Sequence, residues 1–450
     1  MHGKLRGNTD AFAQPSATMS QRIAVIGGGY AGFAAAVTLA AAGREITVFE
    51  TARTLGGRAR RVDSHGAPVD NGAHILLGAY RQFLELVRLV HGAGAEDELF
   101  DRRRLVLEQP GVFRLRTPTL PAPWHLAAAL FTMRGVPYRD RLRTMVFARR
   151  LARGGFRCSA DLTVSALLAD QPASVTRLLW EPLCLAALNT PTDTASAQIF
   201  LNVMRFSFAA RTRDSDLLLP RVDLSTLFPD AAAAFVTDRG GEIRGGTAVS
   251  SVVAVDGGVD VASGYSSERF DAAVVAVGPH QVSQLLEANG NRLAALLAQI
   301  AAFSYQPITT AYLQYGAALS LGKPLIKLDG APGQWMFDRG LLDGPVGLAS
   351  VVISTDASGE KIPHEALAHA IDAQLHAIMP KLSAPLWTQV IAERRATYAC
   401  TPGRAHPAAG LLLPHLCLAG DYTDPELPAT LEAATRSGVI AARALLAGHP

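Results

Sequence analysis

The chain has 450 residues, of which 49% are apolar and only 18% charged, and its formal net charge is +3. Ordinary soluble domains carry about 25% charged residues, so this composition with its positive mean hydropathy excludes a disordered or collagen-like chain. Two sources of the low charge remain: a large buried core, which the length allows, or apolar surface that meets lipid.

The near-neutral balance, with no basic stripe, argues against a nucleic-acid partner. Among the basic residues only Lys4, Lys323, Lys327, Lys361 and Lys381 are lysines, and the excess of arginine reads as genomic composition. Cys158, Cys184, Cys400 and Cys417 are far apart and form no C-x-x-C pair. They are expected to be reduced, mostly buried thiols of a cytoplasmic protein, with no disulfide framework and no metal site. Length alone suggests about three domains or one large interleaved fold.

Residues 1–21 lack the apolar core of a secretory signal and are expected to be a disordered leader, with Met19 an alternative start. From Ile23 a β-branched run leads into Gly27-Gly28-Gly29-Tyr30-Ala31-Gly32, an alanine-rich helix to Ala42, and a second strand that ends at Glu50. This is the strand, G-x-G-x-x-G, helix, strand, acid order of a dinucleotide-binding unit. Gly27 permits the tight turn, Gly29 lets backbone approach a pyrophosphate, and Gly32 lets the helix pack closely. The helix N-terminus offers its dipole to the phosphates, and Glu50 is placed to accept ribose hydroxyls. An acid there disfavours a 2′-phosphate but does not separate NAD from FAD. The following Leu55-Gly56-Gly57-Arg58 does, because a second glycine pair allows another close backbone approach and Arg58 offers a planar fork to phosphate or to a flavin edge.

Residues 80–210 read as mostly helical, with Phe83, Leu84, Leu86, Val87, Leu89 and Val90 on one face. Within them, Trp124, Phe131 and Met133 belong to an apolar hairpin, followed by Arg139, Arg141, Arg143, Arg149, Arg150 and Arg153 on an amphipathic helix. Segment 119–153 therefore suits either a dip into anionic lipid or a buried helix with a solvated basic face. No run of 18 apolar residues occurs, so no spanning helix is expected. Further on, 245–261 reads as a β-meander whose alternating valines include Val249, and 270–279 as a buried strand closed by Gly-Pro. Near the end, an apolar strand runs into Gly420-Asp421, and after a loop containing Pro428 and Ala429 a helix of small residues follows. Its distance from the first glycine loop suits a flavin fold built from remote segments.

These motifs together resemble the amine oxidase and phytoene desaturase superfamily of FAD proteins, over residues 22–445. Four longer strings resemble one branch, the hydroxysqualene dehydroxylases: Asp70 to Tyr80 (DNGAHILLGAY), Trp180 to Pro191 (WEPLCLAALNTP), Ser215 to Arg221 (SDLLLPR) and Leu427 to Glu432 (LPATLE). Ala73 departs from the polar residue expected before His74, which weakens any proton relay through that position. The resemblance implies an α/β architecture in which a Rossmann-type FAD-binding domain (22–80, 215–282 and 401–450) is interleaved with a mixed α+β substrate domain (81–214 and 283–400). It assigns Gly27, Gly29, Gly32, Glu50, Gly56, Gly57, Arg58, Val249, Gly420, Asp421, Pro428 and Ala429 to the cofactor.

The implied reaction is removal of an allylic hydroxyl by reduced FAD, giving squalene and water. An acid must protonate the departing oxygen, and His74, Asp70, Glu181 and Tyr80 are the candidates. Hydride transfer needs reacting atoms about 3–3.5 Å apart. About 30 carbons at ~0.3 kcal/mol per atom are worth roughly 9 kcal/mol of binding, so recognition can be almost wholly apolar. The implied partners are a long isoprenoid, an electron donor that reloads the flavin, and lipid at the inner face of the plasma membrane. Rival readings are a carotenoid-type desaturase, an amine oxidase (Tyr398 and Cys400 resembling an aromatic or cysteine-flavin arrangement), a non-enzymatic prenyl-lipid carrier and a structural NAD-binding protein.

Overall fold

The run Ile23–Ile26 is buried on both faces, as a central strand of a parallel sheet must be. In the computed structural model, which describes residues 21–158, 160–342, 344–355 and 362–448, it lies third in a six-stranded sheet. The order is Glu242–Gly245, Glu45–Glu50, Arg22–Ile26, Ala272–Val275, Leu416–Leu418 and Gly410–Leu413. The first five strands run parallel, with Ile23 opposite Ile46 and Ala272, and Ala273 opposite Leu416. Only the edge strand Gly410–Leu413 is antiparallel. The sheet is thus assembled from remote segments, as expected. The leader expected over residues 1–21 lies, apart from Gln21, outside the described residues.

Helix Tyr30–Ala41 crosses between the first two strands, and the long helix Leu431–Ala447 packs against it. Their backbones come so close that a Cβ on Gly438 would sit 2.1 Å from the Ala31 carbonyl oxygen, which is why that helix carries glycine there. The meander continues one strand beyond the expected pair: Val249–Val255, Gly258–Ser263 and Ser266–Phe270 form an antiparallel sheet with Val252, Val259 and Val261 buried.

A second, antiparallel sheet has the order Leu325–Lys327, Trp335–Asp338, Leu348–Ile353, Tyr305–Gln314 and Trp387–Tyr398. Its side chains alternate between faces. Met336 and Val351 pack beneath helix His364–Ile378 with Ile371 and Leu375, whereas Trp335, Phe337 and Val352 face the other way, toward the first sheet.

Residues 80–210 are mostly helical, as expected, but they also hold three short strands, Phe100–Arg103, Val106–Gln109 and Phe113–Arg116, that the helical reading passed over. The cause is a local period of two, in which Leu105, Leu107, Phe113 and Leu115 are buried between more exposed neighbours. Helix Arg81–His91, expected in the substrate part, instead packs Phe83, Leu84, Leu86 and Val87 into the core around the first sheet.

Candidate functional site

The C-terminal ends of the parallel strands open onto a cavity of about 700 Å³. One end is built by the glycine loop. Gly27 has φ +112° and an added Cβ would lie 2.5 Å from the Ala276 carbonyl oxygen, and one on Gly32 would lie 1.9 Å from the Gly27 oxygen, so protein packing itself requires both glycines. Gly29 differs. Its backbone is extended, at φ −89°, and an added Cβ would meet no protein atom nearer than 3.8 Å. Gly29 lines the cavity, so the space left by its missing side chain belongs to whatever binds there. That cradle fits a dinucleotide pyrophosphate at the helix N-terminus.

Glu50 lines the same end. The Gly28 and Ala52 N–H groups donate to its two carboxylate oxygens, each at 2.7 Å, which fixes the carboxylate and leaves lone pairs for ribose hydroxyls. The second glycine pair is stitched to the first loop, with Gly56 N–H donating to the Gly28 oxygen at 2.8 Å. Arg58 forks onto Asp421, its Nη2 lying 2.8 Å from both carboxylate oxygens, while Nη1 donates to the Ala396 carbonyl. Burial alone would weaken the guanidinium as a base, but Asp421 outweighs it and holds its pKa above the ordinary value. Arg58 and Asp421 thus enter the cavity as a neutral pair rather than as an isolated cation. Val249, Gly420 and Ala429 also line the cavity, whereas Gly32 and Pro428 do not.

The candidate acids fall in different places. His74 lines the cavity. Its Nδ1 lies 2.8 Å from the Gly72 oxygen, which requires the proton on Nδ1 and leaves Nε2 as an acceptor in the neutral ring. Burial depresses its pKa, so the ring is neutral near pH 7. Asp70 does not reach the cavity: 2% exposed, it accepts from Leu224 N–H at 2.8 Å and pairs with Arg339 at 3.3 Å. Glu181 is exposed at the start of helix Glu181–Leu188 and lines no part of the cavity. Tyr80 does line it, and burial pushes its phenol well above the ordinary value, so its O–H stays available as a donor. Tyr398 and Cys400 are buried away from the cavity. The Tyr398 hydroxyl donates to the Leu427 oxygen at 3.0 Å, and burial pushes the Cys400 thiol up to about 12.

Several lining groups carried no motif in the sequence. His280, Glu393 and Arg395 line the cavity, and Tyr305, just outside the lining, stands edge to face with His280 at 6.1 Å. Burial lowers the His280 pKa, helped by Arg395 and Arg58. His280 comes from helix Pro279–Leu286, and Tyr305, Glu393 and Arg395 from two strands of the second sheet, so periodicity alone does not bring them together.

A second cavity of about 630 Å³ shares Ile75, Tyr80, Ala186, Trp335 and Thr430 with the first. Its walls are mainly apolar, with Leu105, Leu107, Leu183, Val203, Met204 and Leu217, while Arg81, Glu85 and Glu432 also line it. The buried carboxylate at its edge, Glu432, is satisfied by the N–H groups of Gln82 and Phe83. Toward its rim Phe206 lies between Arg205 and Arg436, both paired to Glu426.

A family model described as flavin containing amine oxidoreductase matches residues 30–446. The chain is 30% identical to hydroxysqualene dehydroxylase of Rhodopseudomonas palustris, with 95% of this chain and 99% of that protein covered. It is 25% identical to zeta-carotene desaturase of Synechocystis sp., with 95% and 98% covered. Its fold matches that of an oxidoreductase from Methanosarcina mazei at a TM-score of 0.70 and 15% identity, covering 95% of this chain and 100% of that one.

Proposed function

The chain belongs to the flavin-containing amine oxidoreductase family and is an FAD-dependent oxidoreductase, and from that premise we propose that it removes the allylic hydroxyl of hydroxysqualene reductively, giving squalene and water. The observation that carries this reading is the second cavity. Ile75 and Leu77, Leu183 and Ala187, Leu217, and Leu427 come from the four strings that resemble hydroxysqualene dehydroxylases, and all of them line it. An apolar hollow opening off the cofactor cradle suits a hydrocarbon chain, at about 0.8 kcal/mol per buried CH₂.

The Gly29 backbone, Glu50, and the Arg58 and Asp421 pair would hold the flavin, which, once reduced by an electron donor, would supply the hydride that replaces hydroxide at the allylic carbon. The protein must supply the proton and exclude water. We assign the proton to Tyr80, whose side chain borders both cavities. Even a phenol made a weaker acid by burial can protonate a departing hydroxide, because water is a weaker acid still. His74 Nε2 then accepts the hydrogen of the substrate hydroxyl and orients it. Replacing Tyr80 by Phe is expected to slow turnover by about 10²-fold or more with flavin content unchanged. Full turnover in that variant would remove Tyr80 from the reaction.

Similarity to zeta-carotene desaturase supports a second reading, oxidation of a longer polyene in the same hollow. Anaerobic incubation of the photoreduced protein with hydroxysqualene separates the two. Squalene formed in proportion to flavin reoxidation supports the first reading. An inert reduced flavin, with bleaching of the oxidised protein by a carotene, supports the second.

We also propose that segment 119–153 rests on lipid at the cytoplasmic membrane face. Among the described residues no helix is long and apolar enough to cross a membrane. Yet among the described residues six of the sixteen exposed large apolar side chains lie between Leu120 and Val146, with Trp124 66% and Val146 71% exposed. Replacing Arg149, Arg150 and Arg153 by Glu is expected to release the protein from anionic vesicles, and unchanged co-sedimentation would reject the contact.

A further inference from the structure

Beside helix Trp124–Thr132 lies a hollow of about 680 Å³ that the reaction does not use. Four arginines line it: Arg104, Arg114, Arg116 and Arg134. Their convergence is built into the backbone. Leu107, Phe113 and Leu115 bury one face of the hairpin Val106–Arg116. An isolated antiparallel bridge then sets Arg134 directly opposite Arg114, through N–H to oxygen bonds of 2.8 and 3.2 Å.

Like charges directly opposite one another on antiparallel strands repel. Little in the protein offsets this repulsion. No carboxylate residue lines the hollow. Among the described residues the one ion pair made by these four arginines is Arg114 with Glu108 at 3.7 Å, and Glu108 is shared with Lys323. Arg104 bonds the Thr119 hydroxyl, and the buried Thr117 hydroxyl is directed to the Leu105 oxygen. Such a concave group of planar, always-charged forks matches the oxygens of a phosphate, which each guanidinium can take in a bidentate manner.

The rim identifies the source of that phosphate. Leu120 belongs to the hollow, and helix Trp124–Thr132, which contributes Ala128 and Thr132 to its wall, carries the exposed Trp124 and Phe131. A dissolved anion has no use for an apolar ridge, whereas a bilayer presents phosphate and hydrocarbon together, with Trp suited to their boundary. We infer that this hollow binds the phosphate of an anionic phospholipid while the adjoining ridge enters the bilayer surface. The inference rests on the reading of segment 119–153 as a lipid contact and gives that contact a specific headgroup site.

The test uses the holoprotein with vesicles of phosphatidylcholine, with and without phosphatidylglycerol, and quenching of Trp124 by brominated lipid. At about 1 kcal/mol per arginine near an anionic surface, the triple variant Arg104→Gln, Arg116→Gln, Arg134→Gln is expected to partition about a hundredfold more weakly. Thr132→Glu, an exposed substitution that puts a carboxylate at the hollow, is expected to weaken partitioning in the same direction even if the triple variant folds poorly. Wild-type partitioning by both overturns the inference. If Arg149→Glu, Arg150→Glu, Arg153→Glu still releases the protein in that case, the lipid contact stands without the headgroup site. Displacement from vesicles by inorganic phosphate, with Trp124 unquenched throughout, would show a free-anion site and overturn the bilayer source.

Discussion

Gly29 and Gly32 occupy the same loop for different physical reasons, and alanine substitution separates them. At Gly32 the new methyl group would lie 1.9 Å from the Gly27 oxygen, so the loop or the helix must move. Overpacking of that kind costs about 1–3 kcal/mol or more, and both stability and cofactor binding are expected to fall. At Gly29 the nearest protein atom is 3.8 Å away and the backbone already lies in a region open to any residue. Loss of chain entropy in the unfolded state should stabilise the cofactor-free Gly29→Ala protein by about 0.4–1 kcal/mol. The methyl group nevertheless projects into the cavity where the pyrophosphate is expected, and it removes the close backbone approach there. The expected pattern is an apo protein that melts no lower than wild type but binds FAD at least about tenfold more weakly, a loss of ~1.4 kcal/mol. Differential scanning fluorimetry of the apo forms and flavin titration read the two quantities independently. Wild-type FAD affinity in Gly29→Ala would refute the assignment of this loop to the pyrophosphate.

Asp70→Ala removes the carboxylate on which Leu224 N–H and Arg339 converge, and breaking a buried ion pair costs about 3–5 kcal/mol. We expect a large drop in urea midpoint with turnover per bound flavin little changed, and a specific loss of turnover would restore Asp70 as a catalytic candidate. Glu181→Gln, at an exposed helix start, is expected to leave both melting temperature and turnover unchanged. For pH, burial depresses the pKa values of His74 and His406 in the folded protein. The unfolded chain therefore takes up protons first. The stability of these neutral rings is complete above the unfolded value of about 6.5 and is lost as pH falls through it toward the depressed native values, by up to ~1.4 kcal/mol per pH unit for each ring. His376 works in the opposite sense, its pKa raised by bonds to Asp372, but it is on the surface and screened. Melting curves from pH 7.5 to 5, in steps of about half a unit, should decline more steeply for wild type than for the His74→Asn, His406→Asn variant, and parallel curves would defeat the argument.

The nucleotide end was legible in the sequence because its logic is local: strand, loop, helix and acid lie within 30 residues, and each glycine answers to a neighbour. The same holds for the meander and for the helix face at Phe83 to Val87. Asp70 illustrates the opposite case. Its motif pointed to the cofactor, but its role is decided by Arg339 and Leu224, whose contacts no spacing rule reveals. Likewise, Arg114 and Arg134 appear as scattered surface charges until a backbone bridge sets them opposite one another. The strands between Phe100 and Arg116 were missed because four residues are too few for a two-residue period to stand out beside stronger helical stretches. Where the four resemblance strings meet is also a tertiary fact: each reads as a short apolar segment, and only folding brings them to one hollow.

The low charge of the chain follows from how its polar groups are distributed. At the cofactor cradle Arg58 is held by Asp421 as a close pair. Beyond Tyr80 the second cavity is lined mainly by apolar side chains, and at its rim Arg205 and Arg436 share Glu426. A hydrocarbon entering that rim displaces water without breaking an ion pair, because those three charges are already satisfied by one another. On segment 119–153 and the adjoining hollow the pattern reverses: exposed apolar side chains stand beside arginines that mostly lack acidic partners among the described residues. Paired charge suits a passage for a neutral chain, and unpaired positive charge suits a surface that must itself be attracted. The contrast predicts different salt responses, since screening acts on exposed, unpaired charge far more than on close pairs. Raising ionic strength should release the protein from vesicles while leaving the affinity for a soluble isoprenoid analogue nearly constant, and equal loss of both would contradict the division.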